Sequence, residues 1–435
     1  MKHTESLLTF HDATALVSQS ARSQRSKFLS EAEVLPLLHC LGRVLANDVY
    51  SPEAVPATDN SQMDGFVVES QSVSTASYER PVRLPIRGSI AAGDKRVPLE
   101  AGGAYEIMTG AALYSGSYDT VLKVEDAVIE ASSAGPVLVV QQPLPEGQFV
   151  RRRGEDFAKG QHISPAGTRV TPELIMACAA LGISELSVLR PVRVALLTTG
   201  KELQHHSEKT LADGTIRDAS GPYLQAALKD PRYELILHKL VLDEPEIFVQ
   251  ELRRCYELGA DVVVSTGAVS MGKHDFVKEC LLKEGAHLVF HRVAMKPGKP
   301  ILFAQSAQND VAPVFFGLPG NPVSTLVGWR FFVEPYLREV LGQPLEEPMA
   351  ASLMHPFPKP SDVTYVLKAR VEDFDGEWQV KILEGQGSHQ ISPLLEANCW
   401  ALLPNGVDAL EAGQLISMFP LRAQDTGLSI TKGRA

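Results

Sequence analysis

Two lysines with a fixed spacing are the first residues in the sequence that indicate chemistry. Lys296 and Lys299 stand three residues apart in the stretch AMKPGKPILF, directly before an apolar run. Pro297 and Pro300 fix φ and Gly298 permits a tight turn, so the lysines enter the next strand in a geometry that costs little entropy to maintain. Two ammonium groups held close together repel each other, and a bound anion relieves that repulsion. The stretch therefore predicts an anion site, with a structural turn and solvated lysines as the alternative.

Carboxylates in polar, glycine-flanked turns are the second group of candidates. Hard oxygen ligands of this kind suit Mg²⁺, which commonly bridges a few carboxylates to the phosphate of a substrate. Turn capping accounts for each carboxylate taken singly. The group comprises Asp59, Asp64, Glu155, Asp156, Glu202, Asp243 and Asp275. The run RRRG at 151–154 is a compact basic cluster in an acidic chain, and phosphate recognition and an interdomain salt bridge explain it equally well.

The elements that must position these residues follow from the hydrophobic pattern. From about residue 191, near-continuous apolar strands alternate with amphipathic helices in VRVALLTTG, DASGPYLQAAL, ELILHKLVL, EPEIFVQELRRCYELGA, DVVVSTGA and KHDFVKECLLKEG. This alternation predicts a doubly wound, mostly parallel sheet with helices on both faces, and NPVSTLVGWRFFVEPYLREVLG predicts a long closing helix. Ligands on such sheets bind at the carboxyl ends of the strands.

Small and polar residues follow three of these strands. Small residues in front of a helix let backbone N–H groups approach an anion, and the helix N-terminus adds partial positive charge. Capping explains any one such loop better, but three loops together with the two lysines favour an anion site. The loop residues are Gly200, Lys201, Glu202, Asp243, Ser265, Thr266, Gly267, Ser270, Gly272 and Asp275. The strand and turn FFGLPG, before a helix that opens at Asn321 and Pro322, repeat the arrangement.

The flanking regions have other patterns. Helical periodicity over about 11–46 predicts two helices, and short β-prone runs over 47–149 predict a small β-rich domain. Loop and helix return at 150–190. After about residue 342 the runs TYVLKARVED, EWQVKILEG and QLISMFPL predict a small all-β domain.

Composition and the absence of several common motifs argue against some classes of protein. A chain of 435 residues predicts several domains, and a net charge of -11 argues against broad binding of nucleic acid or of an anionic membrane. Five scattered cysteines indicate reduced thiols in the cytoplasm, and we find neither an export signal nor an apolar run of about 18 residues. Without GxxxxGKS/T, GxGxxG, GxSxG or HExxH, the P-loop NTPase, Rossmann dehydrogenase, hydrolase and zincin classes lose their usual support.

Seven motifs carry a resemblance to a known family. They are, in chain order, DNSQMDGF, EIMTGAAL, RRRGEDFAKG, TTGKEL, STGAVSMGKHDFVKE, AMKPGKP and FGLPGNPVST. In order and spacing they resemble the molybdopterin molybdenumtransferase (MoeA-like) family, the enzymes that insert molybdenum into molybdopterin. The resemblance runs from about residue 10 to about 340, and QGSH at 386–389 extends it into the last domain.

The resemblance implies a homodimer of four-domain subunits. These domains are a split helical domain (1–46 and 150–190), a β domain inserted in it (47–149), the doubly wound molybdopterin-binding domain (191–342) and a C-terminal β-barrel (343–435). The implied substrates are adenylylated molybdopterin and molybdate, with Mg²⁺ assisting phosphoanhydride cleavage and with AMP and molybdenum cofactor as products. The implied site lies between the doubly wound domain of one subunit and the β domain of the other. Contact with a molybdopterin adenylyltransferase is a further implication.

The resemblance also assigns roles to individual residues. The implied catalytic set is Asp59, Asp156, Glu202, Asp243, Asp275 and Lys296. Within it, Glu202, Asp243 and Asp275 are the candidate Mg²⁺ ligands. The candidate substrate- and anion-binding set is Thr199, Gly200, Ser265, Gly267, Ser270, Arg292, Lys299, Pro300, Pro319 and Asn321.

Three departures from the family pattern motivate a rival hypothesis. Lys201 stands where an Asp is usual, Ala268 where a second Gly is usual, and Lys273 where a Glu is usual. The rival is a paralogue that binds the pterin intermediate without efficient insertion and acts as a carrier or scaffold. A nucleotide pyrophosphatase is the third hypothesis, because the doubly wound core alone suits phosphoanhydride hydrolysis.

Overall fold

The structure is a computed structural model that describes residues 7–95, 98–113, 116–269, 276–306, 313–359 and 362–423. The chain divides into two compact units. The first unit comprises Met1–Asn47, Ala166–Thr171 and Leu186–Ala435, and the second unit comprises Asp48–Pro165 and Pro172–Glu185. Within the described ranges, no helix is both long and apolar enough to cross a membrane.

The first unit opens with helix α1 (Phe10–Ser30). Thr9 caps its N-terminus, because the Thr9 hydroxyl oxygen accepts a hydrogen bond from the Asp12 N–H at 3.1 Å. Ala13, Val17 and other apolar side chains at helical spacing are buried in the main core of the unit. The first predicted helix is therefore confirmed.

The second predicted helix is wrong. Short elements take its place: strand β1 (Glu33–Pro36), a 3-10 turn (Leu37–Cys40) and strand β2 (Val44–Leu45). Pro36 cannot donate a helical hydrogen bond and disfavours helical geometry at Leu35. Gly42 has a φ of +78°, which ends any helical run there.

The second unit is mainly β-structure. Its elements are β3 (Val49–Tyr50), β4 (Asn60–Ser61), β5 (Gly65–Val68), β6 (Val82–Ile90), β7 (Ala104–Ile107), β8 (Thr120–Lys123), β9 (Val128–Ser132), β10 (Gly135–Val140), β11 (Val150–Arg151), β12 (His162–Ser164) and α2 (Pro172–Ala180). Six strands form one sheet in the order β8-β5-β7-β6-β10-β9. β11 pairs with β4, and β12 pairs with β3. The small β-rich domain predicted from the short apolar runs is present.

A six-stranded sheet forms the centre of the first unit. The elements here are β13 (Glu185–Leu189), β14 (Val192–Thr199), β15 (Leu203–Gln204), β16 (Ile216–Arg217), α3 (Ser220–Ala227), β17 (Tyr233–Val241), α4 (Pro245–Glu257), β18 (Val262–Thr266), α5 (Val277–Lys283), β19 (His287–His291), β20 (Met295–Lys296), β21 (Leu302–Gln305) and β22 (Val314–Leu318). The sheet order is β17-β14-β18-β22-β21-β19. The strands β17, β14, β18 and β22 are mutually parallel, β21 is antiparallel to β22, and β19 is antiparallel to β21 and so runs in the same direction as the first four.

Both faces of this sheet are buried. Along β14, Val194 and Leu196 belong to a core cluster that includes residues of α1 and α3, whereas Ala195 and Leu197 belong to a second cluster with residues of α4 and α5. Successive strand side chains point to opposite faces, so helices cover the sheet on both sides. The predicted doubly wound, mostly parallel sheet is confirmed.

The long closing helix is continuous but not uniform. It consists of α6 (Pro322–Gly328), a π-helical turn (Trp329–Val333) and α7 (Glu334–Val340). Pro335 lies at the start of α7 and has no N–H to donate to the preceding turn. A widened turn directly before a proline accommodates that missing bond.

The C-terminal part of the first unit is a closed β-barrel. Its elements are β23 (Met349–Leu353), β24 (Phe357–Pro358), β25 (Thr364–Phe374), β26 (Glu377–Ile382), a 3-10 turn (Ser392–Leu395), β27 (Cys399–Leu403), β28 (Ala409–Leu410) and β29 (Leu415–Pro420). The order β25-β26-β23-β29-β27 closes on itself because β27 also pairs with β25. β20 adds to this sheet parallel to β25.

Candidate functional site

A cleft of about 560 Å³ lies at the carboxyl ends of the parallel strands in the first unit. The ends of β14, β18 and β22 align, because Thr198 pairs with Thr266 and Thr266 pairs with Leu318. We call this space the strand-end cleft. Its lining residues are Thr198, Thr199, Gly200, Glu202, Leu203, Ile216, Arg217, Asp218, Ala219, Ser220, Asp243, Thr266, Gly267, Ala268, Gly320, Asn321, Pro322, His389 and Ile391. The position agrees with the rule for ligand sites in open α/β sheets.

The structure brings several predicted site residues together in this cleft. Those that line it are Thr199, Gly200, Glu202, Asp243, Gly267 and Asn321. The loops after β14 and β17 are joined by a hydrogen bond in which the Lys201 N–H donates to the Asp243 carboxylate at 3.2 Å. Asp243 therefore contacts the loop that carries Glu202, and both carboxylates face the same space.

The turn after β18 has an unusual backbone. Gly267 has a φ of +87°, and Ala268 follows in the left-handed region with a φ of +52°. Gly320 packs against this turn, since a Cβ built on it would lie 3.5 Å from the Cα of Gly267. Glycines at these positions let the backbone of the two turns approach one another and a ligand closely.

Asp218 lines the cleft but is not among the predicted site residues. It is 6% exposed, and its carboxylate accepts a hydrogen bond from the Gly221 N–H at 2.9 Å. The stretch DASGPYLQAAL predicts a helix, and an Asp before a helix is common as a cap. Its place in the cleft results from the β15–β16 pairing, which spacing along the chain does not predict.

His238, on strand β17, lies close to Asp218. Its Nε2 is 3.3 Å from the Thr198 hydroxyl. Burial lowers the pKa of His238, and the neighbouring Asp218 carboxylate opposes that shift. His238 is therefore held as a neutral ring that can hydrogen-bond Thr198 at neutral pH.

Hydroxyl groups at the strand ends are mostly engaged within the protein. Thr199 Oγ1 donates to the Thr266 carbonyl at 2.9 Å, and Ser220 Oγ donates to Thr325 Oγ1 at 3.3 Å. Ser265, a predicted anion-binding residue, is fully buried, and its Oγ makes no hydrogen bond to a residue that the structure describes. Pro319 lies in the turn after β22, where its carbonyl accepts from Thr325 Oγ1.

The two lysines of the AMKPGKP motif lie outside the strand-end cleft. Lys296 and Lys299 are exposed and are not among the lining residues of the strand-end cleft. The Lys296 ammonium lies 5.3 Å from the ring centroid of Tyr365, on barrel strand β25. Arg292 has a φ of +75°, and its N–H donates to the Ile301 carbonyl. Arg292, Pro300 and the two lysines thus form a segment next to the barrel, and their anion-binding role stays a prediction.

Two predicted catalytic carboxylates belong to the second unit. Asp59 accepts hydrogen bonds from Arg152 Nη1 at 2.8 Å and from the Arg153 N–H at 2.7 Å. Burial raises the pKa of Asp59, but these hydrogen bonds outweigh it and hold the pKa below its usual value. Asp156 is exposed. The Arg152 side chain of the RRRG cluster is thus engaged in an ion pair within its own unit.

Two further predicted residues, Ser270 and Asp275, lie outside the described residues, as do Gly272 and Lys273. Among the residues that the structure does describe, no three His, Cys, Asp or Glu side chains are grouped to hold a metal ion. Glu202 and Asp243 still fit Mg²⁺, because this ion commonly takes one or two protein carboxylates and completes its shell with substrate phosphate and water.

The fold and the strand-end cleft define a protein of the molybdopterin-binding class. Residues 195–339 match the family described as "Probable molybdopterin binding domain". On either side, residues 8–182 match the MoeA N-terminal region (domain I and II), and residues 350–421 match the MoeA C-terminal region (domain IV).

Curated relatives carry a shared name. A molybdopterin molybdenumtransferase of Synechococcus elongatus is 40% identical over 391 residues, which is 88% of this chain and 92% of the relative. One of Bacillus subtilis is 31% identical over 404 residues, 91% of each chain. The crystal structure of a molybdopterin biosynthesis MoeA protein of Pyrococcus horikoshii superposes with a TM-score of 0.80 at 27% identity, covering 96% of this chain and all of that one. This chain belongs to the MoeA family of molybdopterin molybdenumtransferases, which confirms the resemblance seen in the motifs.

Proposed function

We propose that this chain is a molybdopterin molybdenumtransferase, which inserts molybdate into adenylylated molybdopterin and releases AMP. The observation that carries the proposal is the strand-end cleft, in which Glu202 and Asp243 face glycine-rich turns at aligned parallel strand ends. The 40% identity to a relative of that name over most of both chains supports it.

The residues of the cleft have separate tasks in this proposal. Gly267 and Gly320 keep the turns free of side chains, so phosphate groups can approach the backbone. The Asn321 side chain is exposed and makes no hydrogen bond to another described residue, so its amide can donate to the substrate. Glu202 and Asp243 would hold Mg²⁺, which would neutralise charge on the phosphoanhydride when bound.

The predicted roles outside the cleft remain part of the proposal. Lys296, Lys299 and Arg292 supply positive charge to molybdate, Asp59 and Asp156 act in catalysis, and the active species is a homodimer. A run of exposed apolar side chains in the first unit supports self-association: Leu29, Val34, Leu38 and Leu41.

A molybdopterin adenylyltransferase would supply the substrate. All five cysteines are buried thiols, which supports a reducing, cytoplasmic location.

One assay separates this function from its rivals. The purified protein is incubated with adenylylated molybdopterin, molybdate and Mg²⁺, and both AMP release and reconstitution of an apo-molybdoenzyme are measured. The transferase releases AMP in a molybdate-dependent manner and activates the apoenzyme. Molybdate-independent AMP release without reconstitution identifies a nucleotide pyrophosphatase. Tight pterin binding with neither product identifies a carrier.

A further inference from the structure

A buried lysine organises one wall of the strand-end cleft. Lys368, on barrel strand β25, is 1% exposed. Its ammonium donates hydrogen bonds to the backbone carbonyls of Gly385 at 2.6 Å, Gln390 at 2.9 Å and Gly387 at 3.3 Å. Burial lowers the pKa of Lys368. A buried ammonium is costly unless its donors are satisfied, and here three carbonyls of one short segment satisfy them.

The same segment is fixed from a second side. The Lys368 N–H donates to Gln386 Oε1 at 3.0 Å, and Gln386 Nε2 donates back to the Lys368 carbonyl at 2.8 Å and to the Leu383 carbonyl at 2.7 Å. The Gly387 N–H donates to Gln390 Oε1 at 2.8 Å. Lys368 therefore holds residues 385–391 through its backbone and its side chain together. We call residues 385–391 the barrel segment.

The barrel segment reaches the strand-end cleft. The Ser388 carbonyl accepts a hydrogen bond from the Val323 N–H at 3.0 Å, in the first turn of α6. His389 and Ile391 then line the cleft beside Asn321. The barrel thus contributes side chains to a site whose other walls are the strand ends of the α/β sheet.

Among the residues that the structure describes, few basic side chains line the cleft. The acidic and basic side chains that line it are Glu202, Arg217, Asp218, Asp243 and His389. The Arg217 guanidinium is already engaged, because it donates to the carbonyls of Glu208 and Lys209. The His389 ring is exposed and makes no hydrogen bond within the described part of the chain. A phosphate group entering between these carboxylates needs N–H donors, and His389 can provide one without breaking an existing bond.

We propose that His389 donates a hydrogen bond to a phosphate oxygen of the substrate in the strand-end cleft, and that Lys368 is the positioning residue that holds the barrel segment for this contact. This inference rests on the proposed function, which supplies a phosphate-bearing pterin nucleotide as ligand. It assigns a substrate contact to the barrel and a task to the buried Lys368 ammonium.

The test compares binding and turnover in five proteins: wild type, His389→Ala, Lys368→Met, the double variant, and Lys381→Met as a matched control. Lys381 is an exposed lysine on the neighbouring strand β26. The Kd of adenylylated molybdopterin is measured by calorimetry, and kcat and KM by AMP release. We expect each single variant at His389 or Lys368 to raise Kd and KM about tenfold, as the loss of one charge-assisted hydrogen bond does, with a much smaller change in kcat. Lys381→Met should match wild type.

The energetic coupling between Lys368 and His389 decides whether Lys368 is a positioning residue. If Lys368 acts through His389, the double variant binds no more weakly than Lys368→Met alone, and hydrogen exchange at the amides of 385–391 rises in Lys368→Met but not in His389→Ala. Additive losses, or unchanged exchange, overturn the positioning role. Wild-type affinity in His389→Ala overturns the proposed contact between His389 and the substrate phosphate. Because His389 is exposed, this variant can be tested even if Lys368→Met does not fold. Pterin binding by wild type without molybdate-dependent AMP release removes the transferase function, while the comparison of Kd values still decides the role of His389.

Discussion

The carbonyl oxygen of Thr199 occupies the space that a side chain on Gly267 would need. A Cβ built on Gly267 would lie 2.5 Å from that oxygen, and Gly267 has a φ of +87°. Thr199 ends β14, and Gly267 directly follows β18, so the contact joins the turns after two neighbouring parallel strands. The floor of the strand-end cleft therefore depends on the absence of one side chain.

Gly267→Ala should destabilise the protein and impair ligand binding together. The left-handed backbone and the contact with the Thr199 carbonyl both oppose a Cβ, and we expect a loss of about 2–3 kcal/mol in the free energy of unfolding. Gly116→Ala is the control, since a Cβ there meets nothing within 4 Å. Urea denaturation measures the difference. Equal stability of the two variants would show that the turn relaxes without cost.

Ala268→Gly should have the opposite effect. Ala268 has a φ of +52°, a conformation that costs an L-residue about 1–2 kcal/mol and glycine almost nothing. The greater freedom of glycine in the unfolded chain offsets part of this, so we expect a net gain of about 0.5–1 kcal/mol. Ala226→Gly, in helix α3, is the matched control and should lose about 0.5–1 kcal/mol. A destabilised Ala268→Gly protein would show that the left-handed backbone at Ala268 is not strained.

Asp261 should make the first unit sensitive to acid. Its carboxylate accepts from Lys27 Nζ at 2.9 Å, from both Arg190 Nη atoms at 2.7 and 2.9 Å and from the Arg193 N–H at 2.9 Å. Burial raises the pKa of Asp261, but these bonds outweigh it and lower the pKa below its usual value. A lowered folded-state pKa means that the stabilisation is present above the unfolded pKa of about 3.9 and is lost as the pH falls through the folded pKa.

Asp261→Asn should therefore cost about 3–5 kcal/mol at pH 7, because it leaves the Arg190 guanidinium buried without its main partner. The loss should begin to shrink as the pH falls below about 4, because the unfolded wild-type chain then binds a proton at Asp261 that the folded protein does not, and it should disappear as the pH falls through the lowered folded-state pKa. Glu234→Gln removes an exposed partner of Arg193 and should change stability by less than about 1 kcal/mol. Unfolding curves between pH 3 and pH 7 give both comparisons, and a loss independent of pH would point to packing and not to charge.

The sequence predicted the sheet better than it predicted the walls of the site. Strands buried on both faces, such as β14 and β18, are continuous apolar runs, and the turns that follow them must lie at one edge of a parallel sheet. Asp218 and His389 are not among the predicted site residues, although His389 lies in the QGSH motif, because their positions in the cleft depend on pairings between distant segments: β15 with β16, and the barrel segment with α6. Spacing along the chain carries no signal for such contacts.

A substitution at Lys296 tests whether the AMKPGKP motif correctly predicts a molybdate-binding residue. Its ammonium is exposed and lies 5.3 Å from the Tyr365 ring, so replacing it should leave folding almost unchanged, at less than about 0.5 kcal/mol. If it binds molybdate, Lys296→Ala should raise the molybdate concentration needed for half-maximal AMP release by about tenfold, since one charged contact is lost. Lys283→Ala removes an exposed lysine at the end of α5 and serves as the control. Molybdate dependence equal to that of wild type would remove Lys296 from the site, and would leave anion binding to the strand-end cleft itself.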